Sequence, residues 1–105
     1  MTTTTAHVPT AHASKYLQQL CKHWQHNLAV EFTPDEGTIT FPKDARGADW
    51  PSDGVARLVA SDDGLTVTVE ASNAAHAEAL EGAVQRHLDR FAFREAPLPF
   101  DWQRA

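Results

Sequence analysis

Ser14–His26 reads S-K-Y-L-Q-Q-L-C-K-H-W-Q-H and carries the clearest helical pattern in the chain. Its apolar residues recur three and four positions apart, so a helix places them on one side. These residues, with one that follows the stretch, are Leu17, Leu20, Cys21, Trp24 and Leu28. Because a hydroxyl can accept a bond from a free amide of the first turn, we expect Ser14 to cap the helix. The stretch predicts an amphipathic helix whose apolar side forms part of the core.

Four short segments after this helix alternate apolar and polar side chains, which is the pattern of strands with one buried face. Residues that favour tight turns, at 34–37 and 61–64, separate the members of each pair and predict two hairpins. The segments are Leu28–Phe32, Thr38–Phe41, Val55–Ala60 and Leu65–Ala71. Their polar positions are rich in threonine, so we expect an antiparallel sheet with one apolar and one open face. Pro42–Gly54, between the hairpins, lacks periodicity and predicts a long loop.

A second helix is expected after Ser72 or Asn73, either of which can cap it. Its buried stripe consists of Ala77, Leu80, Val84, Leu88 and Phe91. The tail after residue 95 alternates apolar with other residues and predicts a last strand or an apolar strap over the core. The apolar residues of the tail are Leu98, Phe100 and Trp102. At the other end, Ala6–Thr10 suits a short edge strand or an extended lead-in to the first helix, and Met1–Thr5 is expected to be disordered.

Two helical stripes facing one apolar sheet face define a two-layer α+β sandwich. We predict one domain over residues 1–105, with a four-stranded antiparallel sheet, both helices on one face and an apolar tail. In chain order, a short first strand, a helix, four strands, a second helix and the tail are expected.

The composition argues against several classes of function. The 105 residues include nine basic and fourteen acidic side chains, a net charge of −5, whereas sequence-independent binding to nucleic acid needs clustered Lys and Arg. The single cysteine cannot form an internal disulfide. No apolar run is long enough for a membrane span, and Met1–Thr5 does not resemble a signal peptide. We therefore predict a cytoplasmic protein without nucleic-acid or membrane partners, and no motif indicates a cofactor.

Lys22, His23 and His26 form the first cluster of candidate site residues, on the polar side of the first helix. Neutral imidazole is a good metal ligand, so His23 and His26 could hold a metal, or the cluster an anion. Histidines three residues apart without a nearby carboxylate motif are a weak metal signature, however, and a solvated polar face is favoured. We predict no metal site here.

His87, Arg90 and Arg94 form the second cluster, at the edge of the second helix's stripe. A histidine between core and solvent suits acid–base work or, with the arginines, anion binding. Four other residues are interpreted as structural, and no residue is predicted to be catalytic. Glu81 lies almost on the apolar stripe and is expected to pair with a cation, while the remaining three, Cys21, Trp24 and Phe91, are expected in the core.

Three stretches carry a resemblance to a known family. C-K-H-W at Cys21–Trp24, E-G-A-V at Glu81–Val84 and H-L-D-R-F-A-F-R-E at His87–Glu95 resemble the bacterial family called domain of unknown function 2218. The resemblance implies a strand–helix–four-strand–helix topology similar to the C-terminal domain of phosphohexomutases, and a link to iron or siderophore uptake. It implies no assigned activity. Pro42–Gly54 is longer than the corresponding loop of the family, so no role for this loop follows from the resemblance.

Three hypotheses for function follow. The first is a non-enzymatic binding or accessory module for a protein partner, an anion or an iron-related small molecule, and we favour it because no catalytic motif is present. The second is an enzyme, or an anion- or metal-binding protein, with a site between the helices that uses His23, His87 and the nearby arginines. The third is a structural homodimer that pairs through the threonine-rich open face of the sheet.

Overall fold

The computed structural model of the chain describes residues 1–44 and 47–104. Its elements, in chain order, are β1 (Thr2–Pro9), α1 (Ala13–Trp24), β2 (Ala29–Phe32), β3 (Glu36–Phe41), β4 (Gly54–Ser61), β5 (Gly64–Ala71), α2 (Ala74–Phe91) and β6 (Gln103–Arg104). All strand pairs are antiparallel. The predicted α+β class, with two helices and an antiparallel sheet, is therefore confirmed.

The sheet has six strands, in the order β2-β3-β4-β5-β1-β6, so the predicted number of four is wrong. Both additional strands come from the ends of the chain. β1 pairs with β5 along its whole length, from Thr2 opposite Ala71 to Pro9 opposite Gly64. The expected disorder of Met1–Thr5 is likewise wrong for Thr2–Thr5. Threonine is β-branched and favours strands, and a polar run of this kind suits a strand beside an open sheet face.

Both helices pack against one face of the sheet, where alternate strand residues meet the two helical stripes in a continuous core. The largest fully buried side chains of this core include Leu17, Leu20, Ile39, Leu58, Leu65 and Leu88. Among the described residues, neither helix is both long and apolar enough to cross a membrane.

The opposite face of the sheet carries threonines and the Arg57–Glu70 ion pair, and no element formed by residues 1–44 and 47–104 covers it. The hydroxyls of Thr5 and Thr68 are 3.4 Å apart across neighbouring strands. Arg57 Nε donates to Glu70 Oε1 at 2.7 Å. Pairing of two copies through this face stays a prediction.

The two helices begin differently. The N-cap position of α1 is His12, which makes no side-chain cap bond. The predicted cap, Ser14, lies inside the helix instead, and its hydroxyl donates to the carbonyl of Pro34 at 2.6 Å, which ties α1 to the β2–β3 turn. Asn73 caps α2 as expected, because its side chain accepts from the backbone N–H of His76 at 2.9 Å.

The tail after α2 turns back and runs along the helix before it joins the sheet as β6. Three side chains of α2 spaced four residues apart hold it, since this spacing places them on one side of a helix. The tail is thus both a strap and a short strand. The three bonds join Leu98 N to Asp89 Oδ1 at 2.9 Å, Trp102 Nε1 to Gln85 Oε1 at 3.3 Å, and Arg104 Nη2 to Glu81 Oε1 at 3.4 Å.

Candidate functional site

A groove of about 750 Å³ lies between α2, the C-terminal end of α1 and the loop that joins β3 to β4. Its tryptophan and phenylalanine side chains come from the end of α1, the end of β3 and the loop. Among the described residues, α2 adds two imidazoles and one guanidinium. The residues that define the chemistry of this groove are Trp24, Phe41, Trp50, His76, Arg86 and His87.

The β3–β4 loop is closed by its own hydrogen bonds, which place Trp50 over α2. Lys43 N donates to Asp53 Oδ1 at 2.9 Å, and Trp50 N donates to the carbonyl of Lys43 at 3.0 Å. The indole of Trp50 stacks on the ring of His76, with centroids 4.5 Å apart and planes within 8°. The long loop therefore contributes one ordered aromatic wall.

His76 is held as a neutral ring at the base of this stack. It is only 1% exposed, and its Nδ1 accepts from the backbone N–H of Ser72 at 3.1 Å. A backbone amide can only donate, so Nδ1 carries the lone pair and, in the neutral ring, the proton is on Nε2. Burial lowers the pKa of His76 below its usual value, which favours the neutral form.

Gly54 allows β4 to begin against this part of α2. A Cβ atom at Gly54 would lie 3.0 Å from His76 Nε2 and would overlap Leu80 Cδ1. The missing side chain therefore lets the backbone approach the two helix residues that form the floor of the groove.

The structure brings His23 and His87 together at the end of the groove. Their ring centroids are 5.3 Å apart, and His87 also lies 4.7 Å from the Trp24 ring. His87 Nδ1 is 2.7 Å from the carbonyl oxygen of Ala83, which can only accept, so Nδ1 carries a proton. Phe91 contacts His23 edge-on at 5.8 Å and completes this cluster of rings.

Arg86 is the one guanidinium among the described groove residues, and it lies over Gly82 one turn earlier on α2. A Cβ at Gly82 would be 2.7 Å from Arg86 Nη1. The guanidinium can lie in this position because Gly82 has no side chain. No carboxylate within residues 1–44 and 47–104 forms an ion pair with Arg86. Asp44, on the loop, is the acidic residue among the described groove residues.

The other predicted ligand-binding residues lie outside the groove. Lys22 and His26 are exposed at the end of α1. Arg90 is exposed on the last turn of α2, and the guanidinium of Arg94 lies over the ring of Phe93, 5.8 Å from its centroid. In the described part of the chain, no three His, Cys, Asp or Glu side chains come together as metal ligands.

Three of the residues interpreted as structural are buried. Cys21 is fully buried, and burial raises the pKa of its thiol to about 11. Trp24 is 5% exposed and packs edge-on against Phe41 at 5.0 Å. Glu81 is 8% exposed, and its cation partner is Arg104 of the tail. Its Oε2 has no hydrogen-bond partner among the described residues.

A separate polar cluster joins the tail to the start of α1. Glu95 accepts hydrogen bonds from Thr10 Oγ1, at 3.1 Å to each carboxylate oxygen, and from the hydroxyl of Tyr16. Burial, followed by the bond to Glu95, raises the pKa of Tyr16 to about 12. The bond from Tyr16 is the main cause that lowers the pKa of Glu95. These groups fasten the chain after α2 to the β1–α1 junction.

The sequence reasoning missed Trp50, His76 and Arg86 as groove residues. A signal was present on α2, where His76, Ala79, Ala83 and Arg86 recur three and four positions apart and so share one side of the helix beside the buried stripe. In the structure these four residues all line the groove. No comparable signal placed Trp50 above them, because the loop has no periodicity.

Fold and groove together define a small two-layer α+β domain with an open, aromatic-lined groove. A family model described as "Uncharacterized protein conserved in bacteria (DUF2218)" matches residues 5–103. The chain belongs to this bacterial family, as its sequence motifs predicted.

A solved structure, the NMR structure of PA4090 from Pseudomonas aeruginosa, is similar to this chain over its whole length. The two are 30% identical with a TM-score of 0.76, and the match covers 98% of this chain and 96% of that one. A comparison with curated proteins gave no match. Neither the family nor the solved structure carries the name of a ligand, activity or process. The predicted likeness to phosphohexomutase domains stays a prediction.

Proposed function

We propose that the protein is a non-enzymatic binding module that holds a small molecule in the groove beside α2. One observation carries the proposal: Trp50, fixed by the bonds of its loop and stacked on His76, walls a concave space of about 750 Å³. Small-molecule sites are typically concave, mostly apolar and supplied with a few fixed polar groups. The groove combines these properties.

The hydrogen bonds of His76 and His87 give the groove two rings of fixed orientation, which suits a binding surface. Nδ1 of His76 is engaged by the backbone of Ser72, and Nδ1 of His87 by the carbonyl of Ala83. These bonds fix the orientation of each ring against a tryptophan. Cys21 is not a candidate nucleophile, because burial keeps its thiol protonated at neutral pH.

Titration of the labelled protein with a library of planar aromatic fragments, followed by amide and indole NMR shifts, tests the proposal. Because the family resemblance predicts an iron link, the library includes ferric chelates. We expect the indole N–H of Trp50 to shift. Trp50→Leu should weaken binding about 2- to 10-fold, the size of one aromatic contact. Trp102→Leu is the matched control, since Trp102 packs on the other side of α2 and should leave affinity unchanged. If no compound shifts groove residues, or if both variants weaken binding equally, the proposal is wrong.

A second candidate, an enzyme that uses His23 and His87, is favoured by the contact between these two rings at 5.3 Å. Two imidazoles in contact can exchange the roles of acid and base. Once a ligand is identified, its turnover by the wild type and by the His23→Ala, His87→Ala double variant decides this candidate. Equal turnover in the two proteins, or none in either, removes it.

A further inference from the structure

We propose that the groove takes a planar aromatic molecule that carries a single negative charge. This inference rests on the proposed binding function and adds the chemical class of the ligand. It depends on three features of the groove: its aromatic walls, its guanidinium, and the position of its one described carboxylate.

The walls favour a flat ring. Trp50 and His76 form a parallel stack, and Trp24 contacts both Phe41 and His87. The space between them is bordered by the small side chains of Ala79 and Ala83 on α2. Aromatic rings gain most from stacked or edge-to-face contact with other rings, so this surface discriminates in favour of planar ligands over branched aliphatic ones.

Arg86 provides the charge selection. Arg57 and Arg104 pair with carboxylates, whereas Arg86, Arg90 and Arg94 have no carboxylate partner among the described residues. Of these three, only Arg86 lines the groove. Arg86 instead lies against the bare backbone of Gly82, beside the groove, with no described carboxylate paired to it. A planar guanidinium binds a carboxylate through two parallel hydrogen bonds, so an anionic group on the ligand would supply the missing partner.

Asp44 limits that charge. It lies on the loop side of the groove, and its carboxylate would repel a ligand with two or more negative charges. His76 does not offset this repulsion, because its ring is neutral. The ligand class that fits all three features is an aromatic monocarboxylate.

The test compares 2-naphthoate with 2-naphthamide, which has the same ring and no charge, by NMR titration at low salt and pH 7.5. We expect naphthoate to bind at least about tenfold more tightly, the usual size of a hydrogen bond to a charged group. Arg86→Gln should remove this difference. Arg90→Gln is the matched control, because it removes the same charge from the next turn of α2, outside the groove. Asp44→Asn should strengthen naphthoate binding. The unfolding midpoint of each variant shows that it remains folded.

Each alternative result has a separate meaning. Equal binding of naphthoate and naphthamide at the groove would overturn the charge inference and leave the proposed binding function intact. Equal losses in the Arg86→Gln and Arg90→Gln variants would also overturn it, because the effect would then come from net charge. A preference for a dicarboxylate of the same ring would contradict the limit to one charge. Absence of any groove shift with both naphthalene compounds and with the fragment library would instead refute the binding function itself.

Discussion

The two sides of α2 differ in their contacts with the rest of the chain. On one side, Glu81, Gln85 and Asp89 are each hydrogen-bonded to the C-terminal tail. On the other side, Ala79 and Arg86 line an open groove. One helix therefore has a side that is closed by its own chain and a side that is left available.

This difference shows that polar residues on a helix do not by themselves indicate that this side of the helix is exposed to solvent or forms a functional site. The acidic and amide side chains on the closed side are as hydrophilic as any surface residue, yet they serve to hold the tail. The open side is less polar but contains a guanidinium without a described partner. A polar side chain without a partner in the protein is therefore a better guide to a binding site than a high density of charged residues.

Leu98→Ala tests the closed side and should have the largest effect on stability. Leu98 is 4% exposed, and truncation of a buried leucine costs about 2–4 kcal/mol. Urea denaturation measures the loss. Phe93→Ala, at a residue that is 72% exposed, is the control and should change the free energy of unfolding by less than about 0.5 kcal/mol. A loss for Leu98→Ala no larger than that of the control would show that the tail is not part of the core.

Gly82→Ala tests the open side and should separate stability from binding. Alanine favours helix over glycine by up to about 1 kcal/mol, and the side chain it meets, the end of Arg86, can move. We expect a small gain in the free energy of unfolding together with weaker binding of 2-naphthoate. In an Arg86→Gln background the same substitution should leave naphthoate binding unchanged, because the two residues then no longer act together. Equal weakening in both backgrounds would contradict the role assigned to the space over Gly82.

The pH dependence of stability tests the buried ring beneath Trp50. The pKa of His76 is lower in the folded protein than in the unfolded chain, so the unfolded chain binds more protons as pH falls below about 6.5. The stability that this ring contributes is complete above that pH and is lost as pH falls through the folded value. Asp63 and Glu95, whose pKa values are also lowered, act in a more acidic range.

His76→Asn provides the comparison, because its side-chain oxygen can still accept from Ser72 and does not titrate. Urea denaturation at several pH values between about 7.5 and 5 should give a smaller loss of stability for this variant than for the wild type. Parallel curves for the two proteins would show that His76 does not control stability in this range.

Local patterns predicted much of the fold. Both helices, both hairpins and the stripe from Leu17 to Trp24 follow from periodicity and turn residues, since each depends on neighbours only a few positions apart. The first strand could not be predicted with the same success. Its threonine run is typical of a disordered segment when only neighbouring residues are considered. The strand forms because the run pairs with the backbone of β5, about sixty residues later.

The residues of the candidate site were harder to predict from the sequence than the fold. The approach of His23 to His87 was correctly considered, because both lie on helices that share a core. Arg86 lines the groove, whereas the predicted Arg90 is exposed one turn further along α2. The sequence pattern does not separate these two arginines, because residues four apart share one side of a helix. The position of Trp50 is set by the hydrogen bonds of an irregular loop, and no sequence pattern predicts the conformation of such a loop.

The position of β1 also bears on how the chain is made. Its two neighbours in the sheet are β5 and β6, so β1 pairs with strands that are synthesised much later than it is. Thr4 and Thr5 lie opposite Arg104 and Gln103, about one hundred residues later in the sequence. Contacts this distant in sequence slow folding, because a long loop must close before they form. We therefore expect the two hairpins and α1 to assemble first, and the sheet to be completed only when β1 and the tail join it.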